Sequence, residues 1–346
     1  MDLHPTEDQR MLDDAARRFL ADRHPPSVAR AAACKPYEAR LAQWREIAAQ
    51  GWPALLAPAE QDGLGLGMRE AWIVAEAAGR HLLSLPLAAN MVVLPTLCAA
   101  GAAGLAAQWA GAVMAGDTYF ADAAMRPDGS AFIEGAGEGV RVLAARRLDA
   151  THLRLEVLAP VSGSAGLDPT MPVARVVRPR VLESVELEVE AGTWERLRTR
   201  LRLLRSAELL GAASAALEMA AAHARERRQF DRAIGANQAI KHRLAEDWMA
   251  LDDARLAGIA AVAAHDAGAA TTERDSLFAP LLVVEAGRRA AQNAIQVHGA
   301  LGVTWECDAH LYLKRVLRLA ASLQAEASRA ELLERIWEGG GVRQAA

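Results

Sequence analysis

The sequence predicts a mainly α-helical protein with a small β-domain in its middle. The division is a helical N-terminal domain over residues 1–116, a β-domain over 117–192 and a C-terminal antiparallel four-helix bundle over 193–346. Three observations predict it. Apolar residues recur at helical spacing at both ends of the chain, but from about Tyr119 to Glu190 they alternate with period two. At residues 231–237 two long apolar-striped helices are joined by so short a link that they must lie side by side. A chain of 346 residues, 52% hydrophobic and 24% charged, has the composition of a folded protein and can bury a sizeable core in one or two domains.

At the N-terminus, Thr6 followed by Gln9 is a capping-box spacing, and Leu12, Ala15, Ala16 and Phe19 continue one helical face. A second helix runs to Gln50 with Leu41, Trp44 and Ile47 inward, and Gly51 stops it. The stretch Asp62-Gly63-Leu64-Gly65-Leu66-Gly67 lacks the lysine and Ser/Thr of a phosphate loop, and no strand precedes it, so it reads as a turn. From Leu82 to Gly116 no charged residue occurs. Pro86, Pro95, Gly101 and Gly104 interrupt that run and its alanines make it only mildly apolar, which predicts buried helices rather than a membrane span.

The period-two segments are Val140-Arg-Val142, Leu153-Arg-Leu155-Glu-Val157 and Val185-Glu-Leu187-Glu-Val189, separated by glycines and prolines. Helical periodicity resumes at Trp194 and lasts to about Trp337. Leu203, Leu210 and Leu217 recur every seven residues, and Ile240, Leu244, Trp248, Leu251, Ile259 and Val262 share a face. A third bundle helix carries Val283, Val284, Ala291 and Ile295, with Pro280 expected near its first turn. The fourth carries Leu313, Leu317, Ala320 and Leu323, with Lys314-Arg315 read as a solvated face.

A net charge of -4 with mixed signs gives no global attraction to nucleic acid or to an anionic membrane. Cys34, Cys98 and Cys307 match no metal-ligand spacing and read as reduced thiols of a cytosolic protein; the first residues lack a secretory signal pattern. The turn between the two long helices is chemically unusual. Arg225, Arg227, Arg228, Phe230 and Gln238 are a poor way to close a helical hairpin, whereas a guanidinium fork suits a phosphate or carboxylate. A solvated basic helix end is the alternative reading of the same residues.

The string Arg227-Arg-Gln-Phe230, then Ile234-Gly235, then Gln238-Ala-Ile-Lys-His242-Arg-Leu-Ala245, resembles the arginine-phenylalanine-glutamine signature of the acyl-CoA dehydrogenase family. Gln296-Val-His-Gly299-Ala-Leu-Gly302-Val-Thr304-Trp-Glu306 resembles that family's glutamine and glycine-rich flavin segment, in the same order and at a similar separation. The resemblance implies that fold, with the β-domain reduced, and α,β-dehydrogenation of an acyl-CoA thioester by FAD. It places Arg227 on the FAD diphosphate, with Gln238 nearby and Phe230 packing on the cofactor. Gln296, Gly299 and Gly302 form the other wall, and both motifs reach the FAD of a neighbouring subunit. His298 is left as a hydrogen-bonded packing residue.

Departures from the family pattern are as informative. Its Thr-Glu-Pro, Gly-Ser-Asp and Trp-Ile-Thr-Asn segments are missing, with only the turns Ser162-Gly-Ser-Ala-Gly and Leu167-Asp-Pro-Thr170 near their places. Its catalytic glutamate positions fall at Gln324 and Leu201, leaving Glu326 and Glu208 as nearby substitutes. The glycine expected after Phe230 is Asp231. The implied partners are an acyl-CoA substrate and another acyl-CoA dehydrogenase subunit, in a homo-oligomer or in a hetero-oligomer like those of sterol side-chain degradation. The alternatives are a non-catalytic partner subunit and a flavin-free helical interaction protein on the same fold.

Overall fold

The computed structural model describes residues 3–30, 35–126, 128–164 and 166–339; Cys34, and Ala165 in the turn at 162–166, lie outside the described residues. The first third is helical: α1 (Glu7–Arg23), α2 (Pro26–Arg30), α3 (Tyr37–Ala49), α4 (Met68–Arg80), α5 (Leu87–Ala99) and α6 (Leu105–Met114). Strands follow: β1 (Ala121–Met125), β2 (Ala131–Glu134), β3 (Val142–Arg147), β4 (His152–Leu158), β5 (Val173–Val176) and β6 (Val181–Glu188). The remainder is α7 (Thr193–Glu226), a ribbon of β7 (Arg228–Gln229) and β8 (Arg232–Ala233), then α8 (Gln238–Asp266), α9 (Thr272–His298), α10 (Ala309–Glu326) and α11 (Arg329–Gly339).

Local chemistry sets the helix ends. Thr6 Oγ1 accepts from the Gln9 N–H at 3.2 Å while Gln9 Oε1 accepts from the Thr6 N–H at 3.1 Å, the reciprocal capping box read from the sequence. Gly51, at φ +75°, follows the end of α3 in the left-handed conformation that glycine adopts without strain. The uncharged run forms α5 and α6, and in α5 every side chain from Leu87 to Cys98 is buried. Among the described residues no helix is long and apolar enough to cross a membrane.

The six strands order as β5-β2-β1-β3-β4-β6, antiparallel except for the parallel β1–β3 pair. Leu153, Leu155 and Val157 of β4 face the core, as their alternation indicates. The sequence of β1, Ala-Asp-Ala-Ala-Met, has no β-branched residue, so its strand character comes from its pairing with β2 and β3.

The chain forms two compact units, one of Met1–Pro26, Trp72–Leu83 and Arg202–Ala346, the other of Ser27–Ala71 and Ser84–Leu201. Within the first, α4 and α7 approach backbone to backbone. A Cβ at Gly79 would lie 1.9 Å from the Glu208 carbonyl oxygen, and one at Gly211 1.9 Å from that of Glu76. Leu203, Leu210 and Leu217 are buried as their spacing requires.

Other positions differ from expectation. Trp248 is 60% exposed, because α8 packs through Leu251, Ala254, Gly258, Ala261 and Val262, a face of mostly small residues rotated away from it. Pro280 lies inside α9, since that helix starts at Thr272, where Glu273 and Asp275 favour the positive helix end. Leu313 and Leu317 are only half-buried, and Arg315 between them is fully buried rather than solvated.

Candidate cofactor and active site

The connection between α7 and α8 is a miniature β-hairpin. Gln229 pairs with Arg232, and the two residues between them, Phe230 and Asp231, have φ +51° and +61°, the pattern of a type I′ turn. Aspartate tolerates this region and phenylalanine resists it, so the ribbon holds Phe230 in a conformation it would not choose. The ring is 96% exposed. An apolar ring held in strained backbone at a fixed apex, with no cover from its own described chain, is what a binding element looks like.

The hairpin also leaves α8 open at its start. Asparagine is among the best N-cap residues, yet Asn237 Oδ1 accepts from Arg232 at 2.6 Å and its amide donates to the Ile234 carbonyl at 3.1 Å. The helix therefore begins with no side-chain cap and no acid in its first turn. Its positive end is exposed beside Arg227 and Arg228. The guanidinium of Arg227 and the amide of Gln238 are solvent-exposed and hydrogen-bond to nothing among the described residues.

The second motif lies at the end of α9. Gln296 is exposed, and Gly299 at φ +63° turns the chain into a 3-10 segment, Gly299–Val303, with open space where a Cβ would stand. Gly302 has a different use: it is buried, and a Cβ there would sit 3.0 Å from His298 Cβ and from the Ile295 carbonyl oxygen. His298 Nδ1 lies 2.7 Å from the Ala294 carbonyl oxygen, and its ring stacks on His223 of α7 with centroids 4.4 Å apart. That stack brings both motifs to one end of the bundle. Burial, then His298 and Arg227, push the His223 imidazole below its ordinary titration range, with Glu226 opposing. The sequence did not mark His223, because its partner is remote in the chain.

A diphosphate suits this end of the bundle. It offers a free guanidinium, two uncommitted amides, an uncapped helix start and an open glycine turn.

The positions for proton abstraction are different. Gln324 is exposed near the end of α10, and Leu201 is an apolar, buried residue of α7. Glu208 accepts from Arg315 at 3.0 Å and from Arg318 at 3.4 Å. Glu326 accepts from Arg205 at 2.7 Å, with Arg202 at 3.8 Å. Each acid is held by arginines through its Oε1, and the Glu326 Oε2 is buried without a hydrogen-bond partner among the described residues. In the Leu167–Thr170 turn, Asp168 Oδ1 accepts from the Thr170 N–H and hydroxyl at 2.9 and 2.5 Å.

Comparison with known proteins bears on the family and the fold. The profile for acyl-CoA dehydrogenase N-terminal domains matches residues 6–117, and that for the C-terminal domain matches residues 195–326. The acyl-CoA dehydrogenase IpdE2 of Mycobacterium tuberculosis is 32% identical over 354 residues, covering 96% of this chain and 99% of that protein. Among solved structures, the ChsE4–ChsE5 complex of M. tuberculosis superposes with a TM-score of 0.81 at 22% identity, over 100% of both chains. PigA with FAD and proline gives 0.82 at 18% identity, over 99% of this chain and 100% of that one. Both solved structures share the helical ends and central sheet, and with two domain profiles and a full-length relative in agreement, the chain belongs to the acyl-CoA dehydrogenase family of oxidoreductases.

Proposed function

We propose that this protein is a flavoprotein acyl-CoA dehydrogenase subunit that supplies the diphosphate-binding half of an FAD site to a second subunit of the same fold. FAD is the family's cofactor. When bound, it supplies the acceptor for the hydride leaving the β-carbon of an acyl-CoA thioester, while a base takes the α-proton.

The residues of this chain that serve such a site lie at the hairpin end of the bundle. Arg227 neutralises and orients the diphosphate through its bidentate fork, Gln238 and Gln296 add neutral donors, and the α8 N-terminus adds its dipole. Phe230 covers the cofactor with the ring its own chain leaves exposed.

The observation that carries the shared-site reading is the contrast between this free apex and the occupied acids. The Arg227 side chain makes no hydrogen bond and Phe230 is exposed among the described residues, whereas Glu208 and Glu326 are each held by arginines through Oε1. Turning either carboxylate onto a substrate would compete with the arginine contacts of its Oε1. Gln324 cannot take a proton at neutral pH, and Leu201 has no group to do so. The general base and the flavin-ring surface are therefore assigned to the partner. The two-component ChsE4–ChsE5 complex, a structure of the same fold, is consistent with this arrangement.

The test is the visible flavin spectrum and the acyl-CoA dehydrogenation rate of the chain purified alone, then with the gene product encoded beside it. Colour and turnover are expected only for the pair. Robust turnover by the chain alone, abolished by Glu326→Gln or Glu208→Gln, would establish a displaced base in a self-sufficient enzyme instead.

A further inference from the structure

His223 and His298 stack with their planes 24° apart, and they end two helices that are far apart in the chain. Each is coupled to one wall of the cofactor site. The His223 carbonyl oxygen accepts the backbone N–H of Arg227 at 2.8 Å, so the turn of helix that carries this imidazole also carries the diphosphate arginine. The His298 side chain is held from two other directions. Its Nδ1 donates to the Ala294 carbonyl, because a carbonyl only accepts. A Cβ at Gly302 would lie 3.0 Å from the His298 Cβ, so a side chain there would push the histidine aside.

We propose that the His223–His298 stack is a positioning element of the cofactor site, holding Arg227 and the 296–302 turn at the separation that one diphosphate requires. The proposal rests on the FAD reading above. Its physical basis is that the stack is the ring contact joining the two walls, whose site-facing residues are exposed. The hairpin is exposed along Arg227, Arg228, Gln229 and Phe230, and the glycine turn has open space around Gly299. A stack of flat rings with centroids 4.4 Å apart sets the spacing of the two helix ends and has a geometric preference that an aliphatic pair lacks. The surrounding charges, Arg227 and Glu226 from α7, disfavour and favour an imidazolium respectively, and two imidazolium rings would repel across the stack.

The test uses FAD fluorescence titration of the flavin-binding assembly with His223→Ala, His298→Ala, His298→Phe, Arg227→Ala and the Arg227→Ala/His298→Ala double variant. Each histidine-to-alanine change should weaken FAD binding roughly five- to tenfold, the range of an aromatic pair. His298→Phe, which keeps a ring but loses the Nδ1 donor, should restore affinity to within about twofold of wild type. The double variant should lose less affinity than the sum of the two single losses, because part of the stack's effect passes through that arginine. Wild-type affinity in both alanine variants, alongside a weakened Arg227→Ala, overturns the proposal, as does an additive loss in the double variant. Unchanged affinity in every variant, Arg227→Ala included, overturns the cofactor reading and this proposal with it. If the alanine variants do not fold, His298→Gln replaces them: it keeps a donor for Ala294 without a ring, and must bind FAD more weakly than His298→Phe.

Discussion

Arg227 and Arg243 are both exposed arginines near the start of α8, and the proposed site separates them. Arg227→Ala should weaken FAD binding by about 1.5–3 kcal/mol, the worth of a charge-assisted hydrogen bond, while Arg243→Ala should change it little. Equal FAD affinities for wild type and Arg227→Ala would reject the assignment. His81 gives a second expectation at this scale. Burial, followed by the charges of Arg80, Arg17 and His24, lowers its pKa to about 4 from an ordinary 6.5. The folded state thus disfavours a proton that the unfolded chain accepts. The resulting stability is complete above pH 6.5 and is lost as the pH falls from there towards 4. Thermal melts across that window should show His81→Phe losing less stability than wild type; parallel acid limbs would count against it. The sequence made Arg227 visible through its motif, but showed nothing of His81, whose burial and whose charges from Arg17 and His24 come from remote parts of the chain. Arg315 is the sharpest case of this kind. It looks like a solvated helical arginine, yet its Nη1 donates to the Leu83 carbonyl and Glu208 at 3.0 Å each, with no solvent contact.

At the scale of elements, helix ends and strand alternation were legible because their causes are local. Thr6 and Gln9 announce the start of α1, Gly51 the stop after α3, and β4 its own buried face. Where helices meet, the sequence was silent. Gly79 and Gly211 look like residues that weaken a helix, and in the structure they are where α4 and α7 touch backbone to backbone. Gly79→Ala must push Glu208 aside, which should cost at least about 1–3 kcal/mol of overpacking. Gly111→Ala in α6 meets nothing within 4 Å and should gain about 0.5–1 kcal/mol from helix propensity. Urea denaturation of the two variants checks the contrast; a similar shift in both would mean that the close approach in the α4–α7 pair relaxes freely.

For the whole molecule, the shared-site reading predicts that a lone chain is incomplete. Sedimentation should show a dimer or tetramer in the flavin-bound state, with the bundle at the interface; a flavin-loaded monomer would contradict it. In a reconstituted pair, Gln324→Ala should impair turnover much less than Arg227→Ala, because only the arginine is assigned to the cofactor. The sequence by itself determined the helix–sheet–helix order and the two spaced motifs that place the chain in its family. Periodicity, caps and short motifs are written in neighbouring residues, and neighbours in sequence are always neighbours in space. Only the tertiary structure decided which acids are already taken, which arginine is buried, and that Phe230 stands exposed on a strained turn. It also decided that two histidines 75 positions apart share a stack. Those facts depend on which distant residues meet, and that is set by how whole faces pack, a property no single stretch of the chain contains.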